Sequence, residues 1–228
     1  MEAQKRWYAE TLPLVGEHIV DVGANVGELS EFFFSALQGQ GSLLSVEPLR
    51  ENVEQIEQRI ARCSGSPRWQ VRACAVSDEQ KTVSLRVGSS EGTHWNSQVI
   101  PSPSPGQSVR TVPAQTLSSL CPHATVIKLD VEGHEYAVLA DSLPKLPSVK
   151  AWAVELHMMP GSSLAQTARS FVQAGFRVFG AGRKRDDTRG AWLSAELPDG
   201  LEWDAIPVAQ RRTDGSVFKM LHIIALRR

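Results

Sequence analysis

Three stretches of the sequence carry side chains able to do chemistry. The first is Asp21-Val22-Gly23-Ala24-Asn25-Val26-Gly27, set between an apolar run and a helical pattern. Glycines in such a turn let the backbone pass close to a ligand. It is not G-x-G-x-x-G and has no Walker lysine. Asp21, one residue before the turn, suits an ammonium-bearing ligand better than a pyrophosphate. The second is Glu47, at the end of the next apolar run. A carboxylate there accepts both hydroxyls of a free ribose and disfavours a 2′-phosphate.

The third stretch is a catalytic edge. Asp130, Glu132 and His134 follow one apolar run, and Glu155 and His157 end the next. Sheets that alternate with helices place ligands at such strand ends. His134 is the first candidate for a general base, because a histidine titrates near neutrality. Asp130 would orient that base or lie beside a cationic ligand. Glu155 and His157 could bind substrate or serve as the base instead. The plainer reading makes Glu132-Gly133-His134 a helix cap and Lys128 a strand-edge charge. Asp130, Glu155 and His157 also offer two carboxylates and an imidazole, a set that suits a divalent cation. Hydrogen bonding is the commoner role of such groups, so the metal stays open.

The surrounding pattern predicts what positions these residues. An amphipathic helix is expected over residues 1–17, as a lid, a dimer contact or simple core packing. Buried strands are expected at 18–23, 43–47, 69–76, 125–131 and 149–156, with an alternating strand at 82–87 and a short one at 109–112. Helical spacing follows after Gly23, Pro48, Gly133 and Ser163. Residues 88–107 read as a long loop, the length of which points to function. Strands at 176–179, 191–195 and 220–226 complete the chain, the last two as an antiparallel edge pair. Strands alternating with helices argue for a doubly wound α/β sheet in one domain: an N-terminal helix over 1–17, a ligand-binding core over 18–180 and edge strands over 181–228.

Composition excludes several classes. Of 228 residues, 42% are hydrophobic and 21% charged, which is globular and not disordered. The net charge of −1 supplies no field for a phosphate backbone, so nucleic acid is disfavoured as a partner. Three widely spaced cysteines, Cys63, Cys74 and Cys121, form no disulfide framework and fit a reducing cytoplasm. No apolar stretch has the length of a membrane span, and no signal peptide is read at the start.

A turn with an amine partner and a ribose carboxylate, but no phosphate to neutralise, separates S-adenosylmethionine from a dinucleotide. The ordered pieces D-V-G-A-N-V-G-E-L-S, V-E-P-L, A-V-S-D, I-K-L-D-V-E-G-H-E and V-E-L-H resemble the FkbM-type family of S-adenosylmethionine-dependent methyltransferases over roughly residues 18–180. The resemblance implies a class I, Rossmann-like fold with a mostly parallel seven-stranded sheet. It also implies methyl transfer to a hydroxyl of a small molecule or sugar. By position, Asp21, Gly23, Ala24, Asn25 and Gly27 would line the cofactor, Glu47 would hold the ribose, and Pro48 and Leu49 would flank the adenine. Ala75 and Val76, with Ser77 and Asp78, match the adenine-side turn, and Asp130 would lie near the methionine moiety.

The alternatives are N-methylation, an RNA ribose 2′-hydroxyl, or a binding module without turnover. Trp95, within Gly92–Ser97, could cover adenosine or an apolar substrate. The cluster Arg183-Lys184-Arg185 with Arg189 could bind an anionic substrate group, although a solvated loop is the commoner explanation.

Overall fold

The computed structural model describes residues 2–63, 68–88, 97–100, 102, 104, 106–183, 192–196, 209–211 and 217–228, with backbone alone for 181–183, 192–196, 209–211 and 217–220. The predicted Gly92–Ser97 loop falls outside these residues except for Ser97. So do Lys184, Arg185 and Arg189, and the side chain of Arg183.

A helix α1 (Glu2–Thr11) precedes the strand β1 (His18–Val22), the helix α2 (Glu28–Ala36) and the strand β2 (Ser42–Val46). The N-terminal helix is shorter than the expected 1–17. Leu12 precedes Pro13, and a residue before proline is steered out of the helical region. Next come α3 (Arg50–Arg62), β3 (Trp69–Arg72), β4 (Ala75–Val76), β5 (Lys81–Arg86), β6 (Gln98–Ile100), β7 (Val109–Gln115) and α4 (Leu117–Leu120). The chain closes with β8 (Val126–Leu129), α5 (Glu135–Ser142), β9 (Ala151–His157), α6 (Leu164–Gln173), β10 (Phe176–Arg183), β11 (Trp192–Glu196), β12 (Ala209–Arg211) and β13 (Val217–Arg227).

The main sheet runs β11-β10-β13-β9-β8-β1-β2-β3, with β12 paired to β13. β1 is parallel to both β2 and β8, and β8 is parallel to β9. Strand order reverses between β1 and β8, and ligands bind at such a switch point beyond the carboxyl ends of the strands.

Alternate residues of each central strand face opposite layers. Val20, Val22, Ile127, Trp152 and Val154 pack with Val138 and Phe171 of α5 and α6. Ile19, Leu43, Val126 and Ala153 pack with Trp7, Tyr8, Phe33 and Ile56 of α1, α2 and α3. Burying each of the larger side chains among these contributes roughly 1.5–3 kcal/mol. Trp7 and Tyr8 are therefore core residues that fix α1 on the sheet.

Two further expectations are corrected. The sheet is not seven-stranded with an antiparallel edge pair, because β13 lies inside it, antiparallel to β9 on one side and β10 on the other. The burial of Ile223, Ile224 and Ala225 accounts for that interior place. The single strand predicted at 69–76 is broken in two. β3 ends at Arg72, and β4 joins a separate sheet ordered β4-β7-β5-β6. That second sheet has its own small core of Leu49, Ala75, Val83, Leu85 and Val112.

Candidate active site

The β1–α2 turn is tied to the end of β2 by its backbone. The N–H groups of Gly23 and Ala24 donate to the carbonyl of Val46 at 3.0 and 3.1 Å. Gly23 has φ +70°, and a Cβ there would stand 1.8 Å from the carbonyl oxygen of Asp130. The turn and the end of β8 thus approach each other closely enough that only glycine fits. Asn25, at φ +51°, donates its N–H to Glu47 Oε2 at 2.9 Å. Glu47 Oε1 accepts from the N–H of Leu49 at 3.0 Å and the Asn52 amide at 3.2 Å. Burial pushes the Glu47 carboxyl up to about 7, against the pull of those donors.

Asp21 and Lys128 are register neighbours on β1 and β8. Both are buried, and Lys128 Nζ lies 3.3 Å from Asp21 Oδ1 and 3.7 Å from Asp130 Oδ2. The ammonium also donates to the carbonyls of Val22 at 3.2 Å and Gly23 at 2.9 Å. Burial alone would lower its pKa, but Asp21 and Asp130 raise it above the ordinary lysine value. Ser30 donates to Asp21 Oδ2 at 2.6 Å. Asp21 therefore faces protein groups and does not line the cavity described below.

Beyond β8 the chain turns through Glu132, which holds φ +54° without being glycine. Such a conformation costs roughly 1–3 kcal/mol and clusters at functional sites. The buried Glu135 carboxylate collects the N–H groups of Val131 and Gly133 at 3.0 Å. Glu135 Oε1 also lies 3.0 Å from His157 Nδ1. An ionised carboxylate only accepts, which places a proton on Nδ1 and turns Nε2 to Glu132 at 3.5 Å and Glu155 at 3.8 Å. Burial opposes charge on His157, yet Glu135 and the other carboxylates raise its pKa to about 9. Burial, followed by the nearby Asp130, pushes Glu155 up to about 8. Burial and neighbouring carboxylates likewise raise Asp130, against the pull of Lys128 and His157.

His134 takes another direction. It is the N-cap residue of α5, and its Nε2 lies 3.2 Å from Ser77 Oγ and 3.7 Å from Asp78 Oδ1. Burial lowers its pKa.

These strand ends enclose a cavity of about 310 Å³, within the range of small-molecule sites. Of the residues expected from sequence, Gly23, Ala24, Asn25, Glu47, Pro48, Ala75, Val76, Asp130, Glu132 and Glu155 line it. Gly27, Leu49, His134 and His157 do not. Gly27 instead caps α2 against Ile56 and Arg59, and Leu49 is core.

Sequence reasoning missed Lys128, Gln4 of α1, and Leu85 and Val99 of the second sheet, while Ser97 belongs to the Gly92–Ser97 segment it had singled out. A lysine inside the apolar run T-V-I-K-L-D-V was the one available signal for Lys128. Three polar atoms on this wall, Asn25 Oδ1, Ser97 Oγ and Asp130 Oδ1, are buried with no hydrogen-bond partner among the described residues. Such groups are costly unless a ligand supplies donors. An ammonium, ribose hydroxyls and an adenine amino group are donors of that kind, so the lining fits S-adenosylmethionine.

The sequence profile of the methyltransferase FkbM domain matches residues 21–178. The chain belongs to this methyltransferase family.

No curated protein matches the sequence. Among solved structures, the methyltransferase FkbM from Methylobacillus flagellatus is similar at 16% identity and a TM-score of 0.50. The match covers 80% of this chain and 44% of that one, so this FkbM chain spans under half of its neighbour's length. The precorrin-6y C5,15-methyltransferase of Geobacter metallireducens is similar at 11% identity and a TM-score of 0.51, covering 98% of this chain and 87% of that one. A Streptococcus pneumoniae protein, described as a candidate tRNA (m1A22) methyltransferase and solved with S-adenosyl-L-methionine, is similar at 10% identity and a TM-score of 0.51, covering 99% and 72%. At these identities the likeness establishes the class I methyltransferase fold. Among the described residues, no helix is long and apolar enough to cross a membrane.

Proposed function

We propose that this FkbM-family methyltransferase transfers the methyl group of S-adenosylmethionine to a hydroxyl of a small molecule. One observation carries the reading: a single cavity joins the Asn25–Glu47 half to a wall of three carboxylates, Asp130, Glu132 and Glu155. Bound S-adenosylmethionine supplies a sulfonium-activated methyl group. Glu47 accepts the ribose hydroxyls, and Ala75 and Val76 pack on the adenine. Asn25 Oδ1 accepts from the amino acid portion. The carboxylate wall faces the cationic centre and the acceptor. As the oxygen–methyl bond forms, the methyl–sulfur bond breaks with its electron pair left on sulfur. The acceptor proton passes to a carboxylate of this wall, the role that sequence reasoning gave first to His134. Alignment of acceptor and methyl group supplies the remaining rate enhancement, several kcal/mol in well-oriented sites.

The same acidic wall would also hold an amine acceptor, so N-methylation is the second reading. Calorimetric titration with S-adenosylhomocysteine, and with NADH in parallel, tests the cofactor. Micromolar binding of the first alone is expected, and binding of NADH alone would overturn the reading. Transfer of labelled methyl to hydroxyl or amine acceptors then separates the two chemistries.

A further inference from the structure

One set of side chains beside the cavity asks for more than a carboxylate wall. Asp130, Glu155 and His157 each present one ligand atom within 4.8 Å of the other two. Asp130 directly follows β8, and Glu155 and His157 belong to β9; the pairing of these strands is fixed, with Lys128 the register partner of Ala153. The imidazole is held as a metal ligand is held. Its Nδ1–H is fixed by the buried Glu135, which lies outside the trio and is itself anchored by the N–H groups of Val131 and Gly133. A carboxylate behind a histidine sets the tautomer and aims the far nitrogen at a metal. That far nitrogen, Nε2, lies 3.8 Å from Glu155 Oε1. Asp130 turns Oδ2 toward Lys128, while its Oδ1 is buried and has no donor among the described residues. A buried carboxylate oxygen with no donor is costly unless a ligand supplies a partner.

We propose that Asp130, Glu155 and His157 bind a divalent first-row transition ion of the Mn²⁺ type. Two carboxylates and one imidazole suit such an ion better than Ca²⁺. The inference rests on the methyltransferase reading for its purpose. The ion holds the acceptor hydroxyl and draws charge from its oxygen, so the proton leaves at neutral pH. Glu132, outside the ligand set but on the cavity wall, receives that proton. The oxygen then takes the methyl group, and the products are the methyl ether, S-adenosylhomocysteine and a proton. The ion is neither oxidised nor reduced.

The test is titration of the full chain with Mn²⁺, followed by loss of the aqueous Mn²⁺ paramagnetic resonance signal. S-adenosylhomocysteine binding is measured by calorimetry on the same samples. Saturable binding is expected, undiminished by equal Ca²⁺, and weakened at least about tenfold in Glu155→Gln and His157→Gln. Both variants should keep native affinity for S-adenosylhomocysteine, which also reports that they fold. If Glu155→Gln fails to fold, Glu155→Asp keeps the charge, shortens the reach and should show the same weakening. The proposal is overturned if native protein that binds S-adenosylhomocysteine leaves the Mn²⁺ signal untouched, or if the variants bind Mn²⁺ as tightly as native protein. Mn²⁺ binding without any S-adenosylhomocysteine binding would instead keep the metal site and remove the methyl-transfer reading.

Discussion

Lys128 Nζ donates to the carbonyl oxygen of Gly23 at 2.9 Å, which fastens the end of β8 to the glycine turn after β1. The same ammonium is the positive partner of the buried Asp21. Lys128→Met removes the charge and keeps the length. It leaves Asp21 buried and uncompensated, a loss of roughly 3–5 kcal/mol for a broken buried pair. A large drop in melting temperature is expected, with weakened S-adenosylhomocysteine binding because the turn is released. A Met variant as stable as native protein would show that the pair is not a structural tie.

Glu47 gives a pH signature with opposite signs for stability and binding. Its folded pKa is about 7, raised from an ordinary 4.5 by burial. Between those values the folded chain holds a proton that the unfolded chain has lost. The contribution of Glu47 to the stability of the free protein therefore falls as pH rises from about 4.5 to 7, by up to about 3 kcal/mol, and is constant above. Ribose hydroxyls need the ionised acceptor, so S-adenosylhomocysteine affinity should rise over the upper part of that window. Glu47→Gln should abolish the binding trend and remove Glu47's share of the stability trend, leaving the share of Glu155, which extends to about pH 8. Melting curves and calorimetry across pH 4.5–8 read them directly, and the paired variant separates Glu47 from Glu155.

The strand–turn–helix at the glycine turn, the place of Glu47 and the acidic box after β8 were legible because each is a local pattern. The second sheet was not, because β4 has two residues and β6 three, too short for any periodicity to show. Lys128 read as a strand-edge charge. Its partner Asp21 comes from a different strand and is brought alongside only by sheet register. His134 was placed correctly after β8, but the direction of its side chain follows from its N-cap backbone at φ −96°, ψ 4°, which spacing does not encode. The carboxylate wall was seen as a set of residues, while its division into lining and supporting members required the fold.

Gly23 and Gly39 both hold positive φ, but their surroundings differ. A Cβ on Gly23 would meet the Asp130 carbonyl at 1.8 Å, whereas one on Gly39 would meet nothing within 4 Å. Gly39→Ala should cost only the left-handed penalty, roughly 1–2 kcal/mol. Gly23→Ala adds a backbone clash that no rotamer relieves. About 3 kcal/mol or more is expected, together with loss of S-adenosylhomocysteine binding. Denaturant midpoints for the two variants make the comparison, and equal costs would mean that the turn moves freely away from β8.

Glu155 and His134 separate the wall from the cap. Glu155 lines the cavity, and burial with Asp130 nearby pushes its carboxyl to about 8. A group of that pKa is poised for proton handling or cation binding at neutral pH. Glu155→Gln keeps the shape and removes the charge, so turnover should fall at least about 100-fold. S-adenosylhomocysteine affinity should stay near native, because the proposed cofactor contacts are made by Glu47 and Asn25. His134 lies against Ser77 and Asp78 and does not reach the cavity lining. His134→Ala should cost about 1 kcal/mol of stability, the scale of one hydrogen bond, and little turnover. Single-turnover rates with labelled S-adenosylmethionine decide between them. A severe loss in His134→Ala with near-native Glu155→Gln would return the base to the helix cap and remove the wall from the reaction.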